Sequence, residues 1–508
     1  MFKKHPKGLL AAALSNMGER FGFYVMMAIL SLFIATKFGL NEVHTGIIYS
    51  VFYALIYLLA LVGGIIADKT QNFKGTILAG IVMMAVGYVV IGIPTPTPVP
   101  DHLYYVILGF TCFGLLLIAF GNGLFKGNLQ ALVGQMYDDP KYSKYRDEGF
   151  NIFYMFINIG AIFAPLFATG IRNWWIQSNG FAYNASLPET CHQYLNNTIT
   201  PEALTNMQEI ASGMGYTGTD MGAFATEYLG IFTTGFHYAF LVAIVAMGIS
   251  LVIYIANRRI FPDPTAIKEA AAAAPEMDVK EVKQRLYALF AVFAVVIFFW
   301  FSFHQNGLTL TFFARDYTDL SSMVFSFGQF KLEGAELFQS FNPFFVVFLT
   351  PIVVGVFGWL RAKGKEPSTP KKIAIGMGIA AFAYIVMALG SMGLPTKAEV
   401  DAMGGLPQAQ QVTPLLLIGT YFILTVAELF ISPLGISFVS QVAPPKYQGI
   451  MQGCWLGATA LGNQLLFIGA IFYKNIPISL TWTVFIVACC ISMFTMLFML
   501  KWLERVAK

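Results

Sequence analysis

Apolar runs long enough to cross a hydrocarbon core, which takes roughly 20 helical residues, recur from one end of this 508-residue chain to the other. Such a chain cannot hide its apolar surface in one water-soluble core, and in lipid every backbone polar group must be paired internally. Broken at charged or Pro/Gly-rich stretches, the runs predict helices near 9–36, 43–67, 75–94, 103–126, 148–171, 229–257, 285–313, 336–360, 372–394, 413–440, 448–473 and 478–503. Composition agrees, since 57% hydrophobic and 11% charged residues leave too little polar surface for a soluble particle of this size. The N-terminal MFKKHPKGLL leads into a run that reaches about Ala35 and contains Glu19-Arg20. That run is too long for a signal-peptide core and reads as a retained helix.

Twelve spans put both termini on one side. With the termini inside, the inner segments hold 23 Lys and Arg, and the outer ones hold Lys37, Arg172, Arg315, Lys331, Lys397 and Lys474. This bias predicts cytoplasmic termini and a multi-pass protein of the plasma membrane, the inner membrane in a bacterium. The formal charge of +4 follows from that orienting excess and implies no nucleic-acid partner. Of the five cysteines only Cys191 falls in an outer loop, and no disulfide framework or zinc spacing is visible. The outer loop near 172–228 is polar and rich in Asn, Thr and Gly, and it suggests no function. The segment 258–284 is expected to be a cytoplasmic linker between an N-terminal six-helix bundle, 1–257, and a C-terminal one, 285–508. This six-plus-six layout resembles the major facilitator superfamily, whose halves rock around a midplane cavity. GGIIADKTQNFK, after the second helix, is similar to that superfamily's charged turn motif, with Asp68 and Lys69 as its charged members. The fold expected is therefore an all-α membrane protein of twelve helices, working as a monomer among lipids.

Ionisable residues within a span cost roughly 2.5–3.5 kcal/mol each on insertion scales, so one facing inward normally has a partner or a task. In NMGERFGFY of the first span, Asn16, Arg20 and Tyr24 share a face, with Glu19 beside them. Lys126 lies in the fourth span, Glu428 in the tenth with Thr425 and Ser432 on its face, and His304 in the seventh one turn after Trp300. Each has a bland reading too. Glu19-Arg20 is equally an inter-helix ion pair, Lys126 a side chain snorkelling from a helix end, and His304 a hydrogen-bonded packing residue. Together they suggest a cavity with cations on one wall and an anion opposite, which suits a zwitterion whose two charges must both be paired away from water. Six scattered histidines, at 5, 44, 102, 192, 237 and 304, give no metal spacing or catalytic set, so neither an enzyme nor a cofactor is expected.

FNIFYMFINIGAI at 150–162 resembles the signature of the proton-dependent oligopeptide transporter family, and ERFGFY, GLFKGN, FNPFF and ELFISPLGISFVSQVAPPKYQG are similar to other family segments. The resemblance covers nearly the whole chain. It implies import of di- and tripeptides by proton symport with alternating access. Arg20 and Lys126 would attract the peptide carboxylate, and Glu428, Asn158 and Asn342 would bind its amino terminus. Tyr24, Tyr57, Trp300 and Trp455 would line the side-chain pockets, with Ser432 beside Glu428.

Two departures bear on coupling. The family's first-span motif carries two glutamates, and the first is Asn16 here; the seventh span carries His304 or Gln305 where the family has an acid. Glu19 and His304, with Lys126, are therefore the candidates for the proton-linked role, histidine because it titrates near pH 6.5. Glu19 is also the expected salt-bridge partner of Lys126. The rival readings are a related carrier for another small zwitterion, anion or drug-like compound, and a non-transporting peptide sensor. The carboxylate of Glu428 argues against a simple anion, which it would repel.

Overall fold

The computed structural model describes residues 4–70, 72–137, 139–142, 145–262, 278–328, 330–444 and 448–506. Among these, twelve helical segments are long and apolar enough to span a membrane, from Gly8–Phe38 to Ile478–Val506. The chain is a multi-pass integral membrane protein, and an even number of crossings puts its two ends on the same side. That side is called here the terminal end, and the opposite one the far end. The 258–284 linker falls mostly outside the described residues, as does the side chain of Asp68.

The first six spans are α1 (Gly8–Phe38), α2 (Glu42–Thr70), α3 (Phe73–Gly92), α4 (Tyr104–Met136), α5 (Arg146–Ser178) and, after two short helices, α8 (Met221–Asn257). Lipid tails are as apolar as leucine, so these helices hold together by close packing, which small residues permit. A Cβ on Gly80 would lie 2.7 Å from Gly121 O, one on Gly87 would lie 2.7 Å from Gly114 O, and Gly63 meets Gly123 more closely still. The α3–α4 and α2–α4 seams are thus backbone against backbone. The fourth span runs on to Met136, so Lys126 is well inside a helix and does not snorkel from an end.

The last six spans begin with α9 (Val279–Phe303), a 3-10 turn His304–Gly307 and α10 (Thr309–Tyr317), which together replace the single helix expected near 285–313. A small hairpin of β1 (Phe325–Phe327) and β2 (Phe330–Leu332) follows, with Phe325 opposite Leu332. Next come α11 (Phe341–Ala362), α12 (Thr369–Gly390), the short α13 (Lys397–Met403) and α14 (Pro414–Val442). The eleventh span is likewise broken, into α15 (Gln448–Gln464) and α16 (Leu466–Asn475), and α17 (Ile478–Val506) closes the chain.

The outer loop expected to be merely polar is folded. It contains α6 (Leu187–Leu195) and α7 (Pro201–Gly213), with Leu187, Cys191, Ala203 and Met207 buried. Thr200 caps α7 by accepting from Ala203 N, and Asp220 caps α8 by accepting from Gly222 N and Ala223 N. This hairpin leaves the first six spans to rest on the last six. Thr200 Oγ1 donates to Ala402 O, and Asn206 Nδ2 donates to Gly404 O at 3.0 Å.

Ion pairs fasten the same end. Arg172, fully buried rather than exposed in the loop, pairs with Glu336 and donates to Glu333 O at 3.0 Å. Arg315 lies 2.7 Å from Glu42 and 2.6 Å from Asp316. Lys397 lies 2.8 Å from Glu189, 3.4 Å from Glu42 and 3.5 Å from Asp316, and also pairs with Asp401. The span α11 is exposed along most of its length. Pro343 is the sole buried residue of α11, and Val354 is 63% and Trp359 57% exposed. The molecule is closed at the far end.

Candidate functional site

A cavity of about 240 Å³ lies among α1, α2, α5, α9, α11 and α14. Its walls include eight of the residues singled out in the sequence: Tyr24, Tyr57, Asn158, Trp300, His304, Asn342, Glu428 and Ser432. Spans far apart in sequence supply them, and the packing brings them to one place. The volume lies just below the ~300–1,000 Å³ range of ligand clefts, which favours small ligands.

Glu428 is the carboxylate of this cavity. Asn342 Nδ2 donates to its Oε2 at 2.8 Å and to Thr425 Oγ1 at 3.0 Å, and no cation among the described residues lies within ion-pair distance. Asn158 Nδ2 donates to Tyr154 O at 3.1 Å. Trp300 Nε1 is buried without a partner. Such a group is costly unless something supplies an acceptor.

Four of the expected site residues stand apart from the lining. Glu19 and Arg20 are buried and bind each other in a bidentate pair, with Arg20 Nε 2.5 Å from Glu19 Oε2 and Nη2 2.5 Å from Oε1. Asn122 of α4 adds a hydrogen bond to Glu19 Oε1 at 3.1 Å, and the guanidinium carbon sits 4.6 Å over the Phe23 ring. The pair is therefore formed within α1, not between helices. Lys126 is not the partner of Glu19. Its Nζ lies 5.1 Å over the Tyr57 ring and has no carboxylate within 4.0 Å among the described residues, because Arg20 already occupies both oxygens of Glu19. Trp455 is 3% exposed, packs edge-on to Phe293 at 6.2 Å and fills the space left by the missing side chain of Gly435. It is a packing residue here and does not reach the cavity.

His304 and Gln305, which the sequence left as alternatives, part company. His304 lines the cavity with its ring stacked on Trp300 at 4.9 Å and tilted against Tyr53 at 4.6 Å. Gln305 turns away and bonds Phe301 O at 3.2 Å and Leu466 O at 3.3 Å. The lining also includes Phe23, Tyr49 and Tyr53. The last two were legible in principle, because Tyr49, Tyr53 and Tyr57 recur every four residues along one face of α2.

A second cavity, about 850 Å³, opens at the far end between the α6–α7 hairpin and the segment around α13. Glu189, Asp316, Asp401, Arg315 and Lys397 line it, and most of these belong to the ion pairs already described. Burial, with Glu189 and Glu42 acting in the same direction against the pull of Lys397, pushes Asp401 up to about 7. No group of His, Cys, Asp and Glu able to hold a metal occurs among the described residues.

The family model of the POT family matches residues 74–275 and 265–483. Among relatives, the chain is 27% identical to "Peptide transporter YePEPT" of Yersinia enterocolitica over 485 residues, covering 91% of this chain and 87% of that protein. It is 26% identical to "Dipeptide and tripeptide permease B" of Xenorhabdus bovienii over 467 residues, covering 91% and 86%. Among solved structures, a mutant of a peptide transporter POT in complex with alafosfalin superposes with a TM-score of 0.73 at 23% identity, covering 100% of this chain and 96% of that one. A POT family transporter in complex with 5-aminolevulinic acid gives 0.71 at 21%, covering 100% and 98%. At that identity the structural likeness carries the fold alone.

Proposed function

This chain belongs to the POT family, and we propose that it imports di- and tripeptides across the bacterial inner membrane by proton symport with alternating access. The observation that carries the reading is a pair of charges without ion-pair partners among the described residues. Glu428 faces the cavity with Asn342 as its hydrogen-bond partner, and Lys126 lies over the Tyr57 ring with no carboxylate within 4.0 Å among the described residues. A peptide's ammonium and carboxylate fit those two positions, and each strengthens in the low dielectric of a closed cavity. Glu428 and Asn342, with Asn158 and Ser432 near them, hold the amino terminus. Lys126 holds the carboxylate, joined by Arg20 whenever Glu19 releases it. Tyr24, Tyr57 and Trp300 give side chains an aromatic wall of low selectivity.

The release of Arg20 supplies a coupling step. Neutralising Glu19 removes the charge that holds the guanidinium, so a proton on Glu19 frees Arg20 for substrate. His304 is the second proton-linked group and Lys126 the third charge in the same circuit. The termini face the cytoplasm, so the ion-paired far end is the outer mouth and the terminal end the inner one. Residues 1–257 and 285–508 act as two units that rock about the cavity, and the protein works as a monomer in lipid.

Thermal-shift measurement of the purified protein with blocked and unblocked peptides tests the substrate. Di- and tripeptides should raise the melting temperature, whereas peptides with an acetylated amino terminus or an amidated carboxyl terminus should not. If no peptide stabilises the protein or accumulates in proteoliposomes under a pH gradient, the assignment is wrong. Loss of gradient-driven accumulation in His304→Ala, with exchange retained, is the result expected for coupling.

A further inference from the structure

Asn463 has no place in the reading given so far, yet it touches the one histidine of the cavity. It is fully buried near the end of α15, and its Oδ1 lies 2.5 Å from His304 Nδ1. Both residues sit at helix breaks, His304 directly after α9 and Asn463 two residues before the chain leaves α15 at Leu465. Gln305 bridges the two breaks through Phe301 O and Leu466 O, and its Oε1 accepts from Thr309 Oγ1 at 2.5 Å. Trp300 and Tyr53 hold the imidazole ring between them. The ring cannot turn without breaking this frame.

A carboxamide oxygen has only lone pairs to offer, so the ring nitrogen facing it carries a proton. The neutral imidazole is then the Nδ1–H tautomer, and its lone pair lies on Nε2. Nε2 has no hydrogen-bond partner among the described residues and is not among the sealed polar atoms, and His304 lines the cavity. Holding this arrangement leaves Asn463 Nδ2 buried with no partner of its own. A buried amide left without a partner lowers stability, and an apolar residue at 463 would avoid that cost.

We propose that Asn463 is a positioning residue for His304, fixing its tautomer so that the cavity-facing Nε2 is the atom that takes up the transported proton. This rests on reading His304 as proton-linked. The step is a single protonation: the Nε2 lone pair forms an N–H bond with a proton delivered from the outer side, no other bond changes, and the cavity gains one positive charge. The Nδ1 contact is the same before and after. The titratable and charged groups around the ring are Tyr53, Tyr57 and Tyr49 from α2 and Lys126 from α4. Tyr24 of α1 and Glu428 of α14 face the same cavity, and from α15 the uncharged Asn463 is what meets the ring. The added charge works with Lys126 to draw a substrate carboxylate in and is balanced by Glu428, so proton and peptide favour each other.

The test is peptide accumulation in proteoliposomes as a function of external pH, with proton-independent counterflow measured in parallel. Asn463→Asp places a full charge on Nδ1–H and should move the pH midpoint of uptake up by one unit or more. Asn463→Leu should move it down or flatten the profile, with counterflow within about threefold of wild type. Asn463→Ser, which keeps an oxygen, should return the midpoint toward wild type, and it and the aspartate variant carry the test if the leucine variant does not fold. An unchanged midpoint in both Asn463→Asp and Asn463→Leu overturns the role of Asn463. Unchanged pH-dependent accumulation in His304→Gln overturns instead the premise about the histidine.

Discussion

The far end and the cavity use the same charged residue types in opposite ways. At the far end Arg172, Arg315 and Lys397 each meet at least one carboxylate, and Lys397 meets four. At the cavity Glu428 has an amide for company, and Lys126, apart from the lining, has the ring of the wall residue Tyr57. A paired charge holds parts together, and an unpaired one at membrane depth waits for a partner from outside. Glu19-Arg20 sits beside the cavity but is paired like the far end, which is why the proposed role for it is a releasable latch rather than a wall of the site.

Four experiments press on this contrast. The largest effect should follow from Glu336→Ala, which strands the fully buried guanidinium of Arg172. Breaking such a pair from one side costs roughly 3–5 kcal/mol, seen as a drop of several degrees in melting temperature, and Arg172→Met combined with Glu336→Leu should recover most of it. Glu428→Gln should reverse the pattern, lowering peptide uptake by roughly ten- to a hundredfold, the size of a lost charged hydrogen bond of ~1.5–3 kcal/mol, while leaving the melting temperature the same or higher. A large loss of stability in Glu428→Gln would mean that this carboxylate is structural after all.

The third experiment varies pH at the far end. Asp401 titrates at about 7 in the folded protein, against ~3.9 for a free aspartate. The folded state therefore binds more protons between these values, and stability must fall as pH rises through that window. The melting temperature of wild type should decline between about pH 4 and pH 7, and Asp401→Asn should flatten that decline. The smallest effect belongs to Arg361→Ala. Its partner Glu366 is 2.6 Å away, but the arginine side chain is 73% exposed, and surface pairs contribute roughly 0–1 kcal/mol. A shift there as large as that of Glu336→Ala would end the distinction between sealed and solvated pairs.

The twelve spans were readable because apolar run length is a local property, and boundaries such as 478–503 against Ile478–Val506 differ by a few residues. Glu428, Trp300 and Asn342 were readable because their motifs resemble those of a known family. What escaped depends on contacts between distant segments. Arg172 and Glu336 are separated by 164 positions, and nothing near either names the other. The break at His304 has no proline to announce it, and the α6–α7 helices are too short and polar to show against a loop background. Asn463 is one amide in a Gly- and Ala-rich helix, and only its nearness to His304 gives it meaning. The error about Lys126 had a physical source too: two cations competed for one carboxylate, and the neighbour along the helix won.

The hairpin of α6 and α7 grows from the first six spans and rests on the last six through Thr200, Asn206 and Glu189. Its contacts are spread over Ala402, Gly404 and Lys397, so lifting one does little until the others go. A mouth held shut in this way behaves like a clasp and not a hinge: it opens as one event, with a steep dependence on temperature. In the proposed transport cycle, the pace of opening is then set by these loop contacts and not by the residues that line the cavity.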